Sequence, residues 1–152
     1  MDVFTVSLFG HRKIDDLRQL DEKLTPMIKE LIKTKPYVAF LIGRNGEFDE
    51  YAASLIKRAR KEVERENSDL TLVLPYSVTD LQYYEKYYDH IVIPENANGT
   101  HPKAAITLKN RWMVEQSNLV IVWVERDTGG AYTAMKYAEK SGKKTVNLEN
   151  II

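Results

Sequence analysis

Apolar residues fall along this chain in two alternating rhythms. Val3 to Leu8, Val38 to Ile42, Leu70 to Leu74 and Leu119 to Val124 are short, nearly unbroken apolar runs, and Ile91 to Ile93 and Thr145 to Leu148 are shorter ones. Such runs predict strands covered on both faces. Between them the apolar residues recur every three or four positions. Leu17, Leu20, Leu24, Met27, Ile28 and Leu31 make one helical stripe, which Asp15 or Asp16 caps. Pro26 lies inside it and is expected to kink or split the helix. Phe48, Ala52, Leu55, Ile56, Ala59 and Val63 make a second stripe. A short helix from Thr79 or Asp80 runs through Tyr88, and another starts at Pro102 and reaches about Gln116. The last helix carries Ala131, Ala134 and Ala138 on one face and stops at Gly142. Alternation of this kind predicts an α/β fold: a Rossmann-like, doubly wound, mostly parallel sheet with helices on both faces.

In such sheets ligands bind at the carboxyl ends of the strands. The unusual residues sit there: Gly10-His11-Arg12 after the first strand, Gly43-Arg44-Asn45-Gly46 after the second, and Asp127-Thr128-Gly129-Gly130 before the last helix. Two adjoining glycines allow close backbone approach, and the first N–H groups of the helix favour an anion such as phosphate. The same glycines also serve a plain strand-to-helix turn. Arg12 is suited to forked contact with phosphate. His11 reads as a donor, a base or a turn-closing residue. Glu47 and Asp49 open the second helix, where the helix dipole favours carboxylates. Either could instead hold ribose hydroxyls or act as general acid or base, with Asp49 preferred. Arg111 is placed to reach the crevice or to pair with Glu115 one turn on. Trp112 and Met113 read as core. Tyr83, Tyr84, Tyr87 and Tyr88 read as packing or a subunit contact before an aromatic lid over a base.

At 152 residues one domain, residues 1–152, is expected. Twenty-two basic and 22 acidic residues cancel. Zero net charge gives no overall drive toward nucleic acid, so nucleic acid is not expected as a partner, though a local basic pocket is compatible with it. No run approaches the roughly 20 apolar residues that span a bilayer, and the N-terminus lacks a signal-peptide pattern, so no membrane partner and a cytoplasmic location are expected. Without cysteine, thiolate catalysis and zinc–thiolate sites are excluded. His90 and His101 are isolated, and neither a metal nor another cofactor is expected. Asn98-Gly99-Thr100 matches a glycosylation sequon but reads as a turn. The Walker loop, the dinucleotide glycine fingerprint and the nucleophile elbow are absent.

Taken in order, Gly10-His11-Arg12, Gly43-x-x-Gly46-x-x-Asp49, Asn110-Arg111-Trp112-Met113-Val114 and Thr128-Gly129-Gly130-Ala131-x-Thr133-Ala134, with Tyr137-Ala138 and Gly142-Lys143 behind, resemble the SLOG superfamily. That group includes YpsA- and YspA-like proteins, the DNA-processing protein DprA and the Lonely Guy phosphoribohydrolases. The chain looks most like the small YpsA-type branch, and the resemblance covers nearly all of it. It implies binding or sensing of a nucleotide or nucleotide-derived ligand, such as a nucleoside monophosphate or ADP-ribose. It implies a phosphate cradle of Gly129, Gly130 and Thr133, closed by Gly10 to Arg12 and Gly43 to Asp49. A homo-oligomer is also expected, since family members commonly pair. Lonely Guy enzymes carry Pro-Gly-Gly-x-Gly-Thr-x-x-Glu. Here that stretch begins with Thr128, has Tyr132 for the third glycine and ends on Lys136. Hydrolysis of an N-glycoside, the alternative reading, would need Glu47, Asp49 or Glu115 instead. A DNA-associated role like that of DprA ranks third.

Overall fold

The computed structural model describes residues 2–97 and 100–151. The first two residues of the Asn98–Thr100 sequon therefore lie outside the described residues. Six strands form one sheet: β1 (Val3–Gly10), β2 (Tyr37–Ile42), β3 (Ser68–Val73), β4 (His90–Val92), β5 (Leu119–Trp123) and β6 (Lys144–Asn147). Their spatial order is β4-β3-β2-β1-β5-β6, and every neighbouring pair is parallel. The expected fold class is therefore observed, with a sheet that is parallel throughout. The helices are α1 (Leu17–Thr34), α2 (Glu47–Val63), α3 (Leu81–Tyr87), α4 (Pro102–Gln116) and α5 (Gly130–Lys140).

Strand residues alternate between two cores. Val6 and Leu8 of β1, Phe40 and Ile42 of β2, and Ile121 and Trp123 of β5 pack on one face, beneath the stripes of α1 and α2. Phe9, Leu41, Val120 and Val122 pack on the other, beneath α4 and α5. Burial on both faces is why these strands read as continuous apolar runs. The second face is built from smaller parts. Ala131, Ala134 and Ala138 bring the backbone of α5 down onto the sheet.

α1 does not split at Pro26; it is one helix of 18 residues. Leu20 and Leu24 before the proline, and Ile28 and Ile32 after it, are all fully buried. Each such side chain stabilises by about 1.5–3 kcal/mol, so together they outweigh the roughly 3 kcal/mol that an interior proline costs. Asp16 caps this helix by accepting from the Gln19 N–H at 3.0 Å. Among the described residues no helix is long and apolar enough to cross a membrane.

Candidate functional site

β1 and β5 are neighbours, but the chain leaves them toward opposite edges. After β1 it moves out through β2, β3 and β4, and after β5 it moves to β6. The loops at their carboxyl ends diverge, which opens a crevice at the topological switch point. A cavity of about 300 Å³ lies there. The three loops singled out in the sequence do converge on it. Gly10, His11 and Arg12 contribute from the end of β1, Gly43, Asn45 and Asp49 from the second loop, and Arg126, Gly129, Gly130 and Ala131 from the third. Ile106, Lys109 and Asn110 of α4 form the remaining wall.

α5 enters this cavity by its first turn. Gly129 stands at its N-cap with φ +95° and supplies no side-chain cap, and the first turn holds no acidic residue. A helix start leaves its first N–H groups without intrahelical partners. A Cβ on Gly129 would meet nothing within 4 Å, and one on Gly130 would meet only Asn110 Nδ2 at 3.9 Å. Space therefore remains in front of these amides. Thr133 does not share it. Its hydroxyl donates to Gly129 O at 3.0 Å, and its side chain lines an adjacent hollow. Thr128 is exposed and lines neither space.

The loop after β2 is built differently. Glu47 N–H donates to Arg12 O at 2.8 Å, and Glu47 Oε1 accepts from Ile14 N–H at 3.3 Å. Glu47 thus straps the first loop to the second and does not line the cavity. Asp49 does line it. Its Oδ2 accepts from the Asn45 N–H at 2.8 Å. Burial pushes the Asp49 carboxyl up from its ordinary value, against the opposing pull of the Asn45 N–H and the Lys109 charge. Gly46 is tied to packing, since a Cβ there would lie 2.5 Å from Arg12 Cα. Arg44 turns away: its guanidinium lies over Tyr84, 5.6 Å from the ring centre.

His11 is 5% exposed and accepts the Glu125 N–H at Nε2, 3.0 Å away. That bond fixes a neutral ring protonated at Nδ1. Burial, then the nearby Arg126 charge, holds its pKa below the ordinary value. His11 is a strut between the β1 and β5 loops as well as part of the cavity wall. Arg111 makes neither of the contacts expected of it. Its guanidinium lies 5.2 Å from the ring centre of Tyr137, while Tyr137 OH donates to Glu115 Oε2.

Lys109 and Arg126 were missed by sequence reasoning, and Asn110 was noticed without being assigned. The signal for two of them lies in α4. Ala105, Lys109 and Met113 share one row of the helix, and Ile106, Asn110 and Val114 the next. Polar residues there interrupt a core-facing stripe. Lys109 is 2% exposed, and burial pulls its ammonium pKa down while Asp49 pulls it up. Asn110 is 9% exposed, and its Oδ1 has no hydrogen-bond partner. Arg126 carries no comparable signal in a polar strand-end loop. Among the described residues no cluster of three or more metal-ligating side chains occurs.

No protein-family model matches this chain, and no curated protein matches it by sequence. Solved structures do match. DNA processing protein A (DprA) from Streptococcus pneumoniae aligns with a TM-score of 0.66 at 15% identity, over 93% of this chain and 49% of that one. DprA from Helicobacter pylori, whose structure is described by its single-stranded DNA binding mode, aligns at 0.61 and 15% identity, over 93% and 63%. The molybdenum cofactor carrier protein from Chlamydomonas reinhardtii aligns at 0.59 and 15%, over 95% and 75%. The chain spans about half the length of the first of these and under two thirds of the second.

One expectation is overturned here. Nucleic acid was set aside as a partner because the net charge is zero, yet two structures sharing this fold are DNA-processing proteins, one of them described as binding single strands. The physical error lay in summing charge over the whole surface. Arg12, Lys109 and Arg126 gather at one cavity, and a local field of that kind is invisible in the total. The chain shares the fold of these DprA structures.

Proposed function

We propose that this chain binds a nucleotide-derived ligand at the switch-point cavity, with a phosphate held at the start of α5, and that it belongs with the YpsA-type branch of SLOG proteins. One observation carries the reading. The uncapped, acid-free start of α5 faces a 300 Å³ cavity that Arg12, Lys109 and Arg126 also line. Amide donors, dipole and cations all favour an anion at that point. Binding or sensing is preferred to turnover. Lys136 stands where Lonely Guy enzymes have their glutamate; it is exposed and pairs with Glu139 at 3.4 Å. Hydrolysis would rest on Asp49, the carboxylate that lines the cavity and has a raised proton affinity. Single-stranded nucleic acid is the second reading, favoured by the fold likeness and the local cations.

A thermal-shift panel of nucleoside monophosphates and ADP-ribose tests the proposal. A ligand at 100 times its Kd adds about 2.7 kcal/mol. For a chain of this size that is a rise on the order of 5–10 °C. Absence of a shift across the panel contradicts the reading. Release of free base from the same mixtures, lost in Asp49→Asn, would instead establish the hydrolase.

A further inference from the structure

A second hollow of about 410 Å³ adjoins the first, between α4 and α5. The two share three lining residues: Ile106, Asn110 and Gly130. Asn110 and Gly130 therefore form a saddle between them. The second hollow differs in charge from the first. Arg111, Lys136 and Lys140 line it, and no carboxylate does. Glu115 is engaged by Tyr137 OH, and Glu139 by Lys136. The Arg111 guanidinium lies over the Tyr137 ring, which holds it at the wall. On the saddle itself, Asn110 is nine-tenths buried with its Oδ1 lacking a partner. That oxygen is closed off from solvent, and it is the Nδ2 of the same amide that stands at the saddle, 3.9 Å from where a Cβ on Gly130 would lie, as a donor for a ligand oxygen. Volume points the same way. About 300 Å³ is the lower end of what ligand pockets occupy, and the second hollow gives a ligand anchored at α5 room to extend.

We infer that the ligand straddles this saddle and carries two phosphate groups separated by a sugar, one at the start of α5 and one among Arg111, Lys136 and Lys140. A sugar oxygen between them accepts from Asn110 Nδ2. The inference rests on the proposed nucleotide site and extends it. Two sources share this chemistry: a free nucleoside bisphosphate and the 5′-phosphorylated end of a single strand.

The test is calorimetric titration with adenosine 5′-monophosphate, adenosine 3′,5′-bisphosphate and a 5′-phosphorylated oligodeoxyadenylate. The bisphosphate is expected to bind at least about tenfold more tightly than the monophosphate, as one added charge-assisted contact gives. In an Arg111→Gln/Lys140→Gln variant the ratio of the two affinities should fall to about one. Both positions are exposed, so folding should be retained. Equal affinity for mono- and bisphosphate in the wild type, or a ratio unchanged in the variant, overturns the second subsite and leaves the first standing. Binding of none of the three compounds removes both. If the oligonucleotide binds more tightly than the bisphosphate and the variant removes that gain, the ligand is a strand end. If the bisphosphate binds more tightly, the ligand is the free compound.

Discussion

The turns after β2 and β5 read alike in the sequence, yet the fold uses them in opposite ways. Each carries two glycines, each follows an apolar strand, and each opens a helix with a glycine at the N-cap. At the β2 turn the glycines make room for protein. Gly46 lies against the Arg12 backbone, and Gly43 lies against Lys109 and Asp49. The helix start there already holds Glu47, Asp49 and Glu50 in its first turn, so its dipole is answered from within. At the β5 turn nothing crowds the glycines and no acid occupies the helix start. A glycine turn becomes a ligand site when the space its missing side chain leaves is still open after folding.

Matched substitutions break or sharpen this contrast. The largest effect on stability is expected at Gly46→Ala. Its methyl would lie 2.5 Å from Arg12 Cα, and backbone cannot swing aside. A loss of about 2–3 kcal/mol should appear as a lower urea midpoint. Gly130→Ala has no such neighbour and should stay within about 1 kcal/mol of wild type, on the stabilising side, since alanine suits a helix better than glycine. Equal losses at the two positions would end the distinction between a packed and an open turn.

Gly130→Asp separates stability from binding. A carboxylate at a helix start stabilises by about 0.3–1 kcal/mol. The same carboxylate occupies the position proposed for phosphate, and the affinity for a nucleoside monophosphate should drop more than tenfold. Unchanged affinity would place the ligand elsewhere.

Gly43→Ala should cost less than Gly46→Ala, about 1 kcal/mol. Its nearest neighbour is the Lys109 amine at 2.8 Å, the end of a flexible side chain. In a Lys109→Ala background the cost should shrink, and a double-mutant cycle measures the coupling. Strict additivity would mean that the two residues do not meet.

The smallest effect is a slope. Folding holds the His11 pKa below its ordinary value of 6.5. Below that pH the unfolded chain takes up a proton that the folded chain resists. The contribution of the neutral ring is therefore complete above 6.5 and is lost as pH falls through the lower folded value. Urea titrations of wild type and His11→Gln between about pH 7 and pH 5 should diverge, the variant being flatter. Parallel curves would show that His11 titrates freely.

The sheet was legible because burial on both faces leaves an apolar run that no other context explains. Helix positions were legible because their stripes have period 3.6. Pro26 misled, because local chain stiffness said nothing of the four buried side chains that flank it, two on each side. The crevice was legible as three strand-end loops, but its inner wall was not. Lys109 and Asn110 come from mid-helix, and they touch the loops only once α4 lies over the switch point. Their signal was a polar interruption of a buried stripe, overlooked because Arg111 beside them looked more like a ligand contact. Arg44 was overcalled for a related reason. Sequence places it in the loop but gives no direction, and Tyr84 draws it away. Zero net charge misled most, since it averages over cations that the fold collects.

Amide chemical-shift mapping during titration with adenosine 5′-monophosphate tests the central claim most directly. The account predicts that the largest changes fall on the Gly130 and Ala131 backbone amides and the Asn110 side-chain amide, with Gly46 and Glu47 nearly still. Saturable changes centred on the β2 turn, or none at any concentration up to the millimolar range, would contradict it.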